Sequence, residues 1–138
     1  MAERTASRGL LDTNIIIDLP LIAPDDLPDL MIVSAVTVGE LSAAPHHTAD
    51  PAERARRIAL LQHVESTFEA LPFDTAAARA YGLIWAAVID AGRTSRRRVA
   101  DLMIAAIAAS HGLPLYTSHP KDFVGLEDLV DIHTLTPA

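Results

Sequence analysis

Four carboxylates stand in sequence contexts that solvation alone does not explain. Asp12 ends the short apolar run Gly9-Leu10-Leu11 and is followed by Thr13, Asn14 and three isoleucines. Glu40 sits in SAVTVGELSA with apolar residues on both sides, and Asp101 opens VADLMIAAIAA, the most apolar helical stretch of the chain. Asp122 lies in TSHPKDF, just after Leu115-Tyr116-Thr117. Three or four such groups converging in a partly dry site repel one another, so either some stay protonated or a cation neutralises them. With oxygen ligands and no cysteine, that cation is a hard one, Mg²⁺ or Mn²⁺. An ion of this kind activates water and bridges phosphate oxygens, which is the chemistry of phosphodiester hydrolysis. Each acid also has a plainer alternative. Asp12 could cap a short helix, Asp101 could complement a helix dipole, Glu40 could snorkel to water and Asp122 could be a turn residue.

The elements that must position these acids follow from the apolar pattern. GLLD (9–12), MIVS (31–34), ALPF (70–73) and PLYT (114–117) are short apolar runs that suit strands buried on both faces. VDIHT (130–134) alternates and suits an edge strand. Between them the spacing predicts a helix over residues 51–68, opened by Pro51 and carrying Ile58, Leu61 and Val64 on one face. Glu53 and Arg57 add an i,i+4 ion pair there. A second helix is predicted from an Asp74 N-cap through Trp85 to Ala91, stopped by Gly92. A third runs from about Arg98 to His111, ended by Gly112 and Pro114. The segments around 20–28 and 44–51 are rich in Pro and Asp and are expected to be exposed loops. This alternation implies one α/β domain over residues 1–138, a mostly parallel sheet with helices on its faces. In such a sheet the C-terminal strand ends and the N-termini of the following helices form one rim. Asp12 and Asp122 follow strands, Asp101 begins the helix that feeds PLYT, and Glu40 lies about one and a half turns beyond MIVS. The four acids are thus expected on that rim.

Composition narrows the function further. Of 138 residues, 50% are hydrophobic and 21% charged, which excludes a disordered or fibrous chain. The absence of cysteine excludes disulfides, zinc-thiolate sites, iron–sulfur clusters and thiol nucleophiles. The first twelve residues mix charges and reach Asp12 before any apolar run of signal-peptide length. The longest apolar stretch, 102–109, is far below the ~20 residues of a bilayer span. A cytoplasmic protein with no membrane partner is therefore expected. Eighteen acids against eleven basic residues give a net charge of −7, which disfavours loose binding to a polyanion. Local placement qualifies that: RTSRRR (93–98) directly precedes Asp101, so Arg96, Arg97 and Arg98 are candidate phosphate contacts. Aromatics are only 4% of the chain, so no base-stacking platform is visible. His46-His47 in a Pro-flanked loop is not read as a metal pair. The apolar LPLIAP stretch (19–24) is either core or part of a groove for a peptide.

At the four acids the chain resembles the PIN-domain ribonucleases, and within them the VapC toxins of bacterial toxin–antitoxin pairs. The matching pieces are LLDTNIIID, SAVTVGEL, RRRVADLMIAAIAASHGLPLYT and TSHPKDF, in family order. The resemblance implies a PIN-like α/β/α sandwich with about five parallel strands. It also implies Mg²⁺-dependent endoribonuclease activity (Mn²⁺ being an alternative), a homodimer, and a small VapB-type antitoxin that occludes the site. Asp12 and Asp101 match the family's principal metal-binding aspartates, Glu40 the acid of its second motif, and Asp122 its fourth acid. Family members usually carry Asp or Asn where this chain has His119, so Asp122, His119 or a water completes the set. Thr13, Asn14, Ser34 and Thr117 resemble the polar groups that orient water or the scissile phosphate. A receiver-like module would want paired acids after the first strand and a rim lysine, whereas the strand ends in Asp-Thr-Asn and the one lysine is Lys121. A dehalogenase-like phosphatase would want an Asp where Asn14 stands. A processing or DNA-cleaving PIN nuclease, or a non-catalytic PIN-fold binding module, stays open as an alternative.

Overall fold

Leu10 and Leu11, adjacent in one strand, belong to two different cores, and the fold is built outward from that alternation. The computed structural model describes residues 6–92 and 99–138. Its elements run β1 (Arg8–Leu11), α1 (Thr13–Ile17), β2 (Leu30–Ser34), α2 (Ala35–Ala43), α3 (Pro51–Thr67), β3 (Glu69–Leu71), α4 (Thr75–Asp90), α5 (Val99–His111), β4 (Leu115–Thr117) and β5 (Ile132–Thr134). The five strands form one sheet in the order β3-β2-β1-β4-β5, and every pairing is parallel. Among the described residues no helix is long and apolar enough to cross a membrane.

Parallel pairing requires each connection to cross a face of the sheet, and the helices there bury the two apolar faces. On one side Leu10, Ile32 and Leu115 pack with Ile84 and Val88 of α4 and with Leu102, Ile104 and Ile107 of α5. On the other, Leu11, Val33 and Tyr116 pack with Ile15 and Ile16 of α1, Leu41 of α2 and Val64 of α3. Chain order reverses at β1, which is flanked by β2 on one side and β4 on the other. The crevice beyond the C-terminal ends of β1 and β4 is therefore the topological switch point, where open parallel sheets take their ligands.

The helix signals read from the sequence hold locally. The Asp74 carboxylate accepts from the Ala77 amide at 3.0 Å and opens α4. Gly92 (φ 71°) and Gly112 (φ 62°) take the left-handed conformation that ends a helix, and Gly112 lets α5 turn within three residues into β4. Glu53 pairs with Arg57 at 3.0 Å, as expected, and with Arg56 as well. Three expectations change. The third strand begins one residue earlier than ALPF and stops at Leu71, because Pro72 has no amide to donate to a ladder. It is a sheet edge with Glu69 and Ala70 exposed, so it is not buried on both faces. The segments at 20–28 and 44–51 are not simply exposed loops. They contain 3₁₀ turns and bury Ile22, Pro28 and Pro45.

Candidate active site

Asp12 leaves β1 at the switch point and is 1% exposed. Its amide donates to the Tyr116 carbonyl at 2.9 Å, which ties the end of β1 to β4. Its carboxylate is held from two sides. Oδ1 accepts the Thr13 amide at 2.9 Å and Oδ2 accepts the Thr117 hydroxyl at 2.9 Å. The capping role that a plainer reading allowed is thus real, since Asp12 is the N-cap of α1. It does not exhaust the residue. Burial pushes the Asp12 carboxyl above its ordinary 3.8, opposed by the bonds from Thr117 and Thr13, and the nearby charges of Glu40 and Asp122 push it further up. A helix cap at the surface experiences no such repulsion.

Ser34 ends β2 and caps α2 by accepting the Thr37 amide at 3.0 Å. The cap fixes the first turn of α2 and so the direction in which Glu40, about one and a half turns on, faces the rim. The Thr13 hydroxyl donates to Glu40 Oε1 at 2.7 Å, joining α1 to α2. Thr13 also lies 2.9 Å from the Thr37 hydroxyl. Ser34, Thr13 and Thr37 are buried and Glu40 is exposed, so a chain of hydroxyls leads from the interior to an acid in contact with water. On the other flank, the Thr117 hydroxyl accepts the His119 amide at 3.0 Å. His119 thus contributes its backbone here, and its residue is exposed. Asp122 stands in the 3₁₀ turn Pro120–Phe123, half-buried and close enough to raise the Asp12 carboxyl.

Asp101 occupies the first turn of α5, half-buried. Helix α5 ends at the N-terminal side of β4 and returns along the sheet, so its first turn lies toward the C-terminal rim. Its thirteen residues span roughly 20 Å, enough to run the length of the strands. Asn14 is half-buried in α1 and gives its carbonyl to the Asp18 amide at 3.0 Å. Arg96, Arg97 and Arg98 lie outside the described residues. The residue that sequence reasoning missed is Thr37. Its signal was present: Ser34, Thr37 and Glu40 recur every three residues and so share one side of a helix.

Whether this donor set suits a divalent cation is a question of its chemistry. Among the described residues, no three His, Asp or Glu side chains close into a ready-made metal cage. Mg²⁺ does not need one, because it keeps several waters and binds through one or two carboxylates. A buried carboxylate raised by burial and by two neighbouring acids, with the Thr117 hydroxyl oxygen beside it, fits such an ion.

A five-stranded parallel sheet flanked by helices is the fold of a recognised domain class. The chain matches the PIN domain family over residues 9–124, and it belongs to that family, in its VapC branch. It is 34% identical over 134 residues to Ribonuclease VapC5 of Mycobacterium tuberculosis, covering 95% of this chain and 96% of that protein. It is 32% identical to Ribonuclease VapC4 of the same organism over 129 residues, 88% of this chain and 93% of that protein. Among solved structures, the crystal structure of VapBC-5 from Mycobacterium tuberculosis, a member of the VapBC family of toxin–antitoxin systems, superimposes with a TM-score of 0.80 at 33% identity. That match covers 93% of this chain and 97% of the other.

Proposed function

We propose that this chain is a Mg²⁺-dependent endoribonuclease, with Mn²⁺ able to replace Mg²⁺, and the toxin of a toxin–antitoxin pair. The observation that carries the reading is the gathering of Glu40 and Asp122 around the buried Asp12, whose direct partners are hydroxyl and amide donors. A divalent cation would neutralise the negative charge gathered there. The names of the relatives, ribonucleases and members of toxin–antitoxin complexes, support the same conclusion.

In this proposal Asp12 and Asp101 hold the ion, and Glu40 and Asp122 complete the oxygen set. When bound there, the ion supplies positive charge against the phosphodiester and makes water easier to deprotonate. Glu40, anchored by Thr13 yet open to solvent, orients the attacking water. The water oxygen bonds to phosphorus as the bond to the 3′ oxygen breaks, and a proton goes to that oxygen. The products are a 5′-phosphate and a 3′-hydroxyl.

An apolar groove supports the partner half of the proposal. Ile17, Leu19 and Pro20 face Leu60, His63 and Phe68 across a cavity of about 290 Å³ between α1 and α3. A second cavity of about 410 Å³ shares Ile17 and Leu60 with it and continues past Leu41 and Ala44 to the charged Glu53, Arg56 and Arg57. The LPLIAP segment divides accordingly, with Leu19 and Pro20 lining the groove and Ile22 in the core. A VapB-type antitoxin segment with apolar anchors suits this groove. The proposal is completed by a homodimer acting on RNA in the cytoplasm.

The test incubates purified protein with total RNA in Mg²⁺, in EDTA, and as Asp101→Asn in Mg²⁺. Cleavage confined to the first arm, with 5′-phosphate ends, is expected. Equal cleavage in all three removes the metal-carboxylate reading, and 2′,3′-cyclic phosphate ends would remove the water nucleophile. No cleavage in any arm leaves a binding module.

A further inference from the structure

Hydroxyl protons along the path from Ser34 to Glu40 can be assigned by counting. A serine or threonine hydroxyl donates one hydrogen, and an ionised carboxylate only accepts. Thr13 Oγ1 spends its single hydrogen on Glu40 Oε1 at 2.7 Å. Its 2.9 Å contact with Thr37 Oγ1 therefore has Thr37 as the donor. Thr37 Oγ1 in turn accepts from Ser34 Oγ at 3.3 Å, and Ser34 Oγ accepts the Thr37 amide at 3.0 Å. Every donor points the same way, from the buried cap of α2 toward the rim.

From this one-way order we infer that Thr37 is a positioning residue for Glu40, acting through the Thr13 hydroxyl. Thr37 is 0% exposed and does not meet solvent. By donating to Thr13 Oγ1 it fills the acceptor side of that hydroxyl and leaves the hydrogen directed at Glu40. Bonds in such a chain polarise one another, so the last and only partly buried link gains most from the ones behind it. Without the Thr37 hydroxyl, Thr13 could rotate, and Glu40 would lose the contact that fixes an exposed, flexible side chain toward Asp12. The relay joins α1 to α2 across 24 residues of sequence at the Thr13–Thr37 link, so its geometry depends on how the helices pack on the sheet. The inference rests on the proposed metal-dependent nuclease for its functional consequence.

The test compares wild type, Thr37→Val, Thr37→Ser, Thr13→Val and the Thr13→Val/Thr37→Val double variant. Mn²⁺ affinity by electron paramagnetic resonance and the rate of RNA cleavage are measured on each. Val keeps the shape of Thr and removes the hydroxyl, whereas Ser keeps the hydroxyl and removes a methyl. Thr37→Val is expected to weaken Mn²⁺ binding and cleavage roughly tenfold to a hundredfold, the usual effect of losing a partner that orients a ligand. Thr37→Ser is expected to stay close to wild type in both. In the Thr13→Val background the second substitution should change nothing further, because the hydrogen-bonded path from the Thr37 hydroxyl to Glu40 runs through Thr13 Oγ1 and the backbone cap at Thr37 is kept by Val. Three results overturn the inference: wild-type behaviour of Thr37→Val, equal impairment of the Ser and Val variants, or additive losses in the double variant. If Thr37→Val does not fold, Thr13→Val breaks the same link and must show the same loss of Mn²⁺ affinity. A wild-type protein that neither binds Mn²⁺ nor cleaves RNA refutes the proposed function itself, and the role of the relay with it.

Discussion

Asp12 and Glu53 are both carboxylates with two or more close partners, and they are perturbed in opposite directions. Glu53 lies on α3 between Arg56 and Arg57, whose guanidinium groups hold its carboxyl below the ordinary 4.5 by hydrogen bonding and charge. Asp12 lies at the end of β1 among hydroxyls, an amide and two further acids, and burial raises it above 3.8. The first is a surface ion cluster whose opposite charges neutralise one another within one helix. The second is buried negative charge without a cationic neighbour among its named partners, a cost the fold bears at one point. Sites with unrelieved electrostatic strain of this kind are where ligands and chemistry are found.

Replacing Asp12 should break the contrast most completely. Asp12→Asn is expected to abolish Mg²⁺-dependent RNA cleavage, a loss of more than the roughly hundredfold ceiling for residues that act through a ligand. The same change should make the metal-free protein more stable at neutral pH. The folded-state value of Asp12 is raised, so above 3.8 the folded chain holds a proton that the unfolded chain has released. Its contribution to stability is complete below 3.8 and is lost as pH rises through the folded value. Thermal unfolding in EDTA should give Asp12→Asn the higher Tm at pH 7, with the gap closing toward pH 4 and below. A lower Tm for the variant throughout would mean that the carboxylate is structurally satisfied, like Glu53. Mg²⁺ at a hundred times its Kd should stabilise the wild type by about 2.7 kcal/mol and leave the variant unmoved, as calorimetry can show.

Removing the Thr117 hydroxyl sharpens the comparison from the protein side. Thr117→Val deprives Asp12 Oδ2 of its donor and the His119 amide of its acceptor, both in a buried setting. A loss of about 1–3 kcal/mol in denaturant unfolding is expected, with a further rise in the Asp12 carboxyl that titration by carbon-detected NMR would register. An unchanged Asp12 titration would show that Thr117 is only packing. The smallest effect belongs to Glu53→Gln, which should leave cleavage at the wild-type rate. Because the Glu53 carboxyl is held below 4.5, its contribution is present above that value and lost as pH falls through the folded one. Any Tm difference from wild type should therefore appear at pH 7, shrink at high salt and vanish in strong acid.

The short-range features were legible because their causes are local. The Asp74 cap, the glycine ends of α4 and α5 and the Glu53–Arg57 pair each depend on residues within four positions of one another. The order of acids along the chain was legible for the same reason, each being marked by its immediate neighbours. The expectation failed where burial rather than propensity decided: ALPF looks like an interior strand, yet β3 lies at the sheet edge.

By itself the amino-acid sequence determined the alternation of strand and helix, the parallel sheet this implies, and which carboxylates stand at element ends. Tertiary structure alone decided which groups meet. Thr117 reaches Asp12 across 105 residues because β4 inserts beside β1 and not beside β3. Thr13 reaches Glu40 and Thr37 because α1 and α2 start from adjacent strand ends. Periodicity and capping act within a few residues, but the environment of a buried carboxylate is set by the groups that packing brings around it. That is why the acids could be read from the sequence and the direction of the hydroxyl chain that aims Glu40 could not.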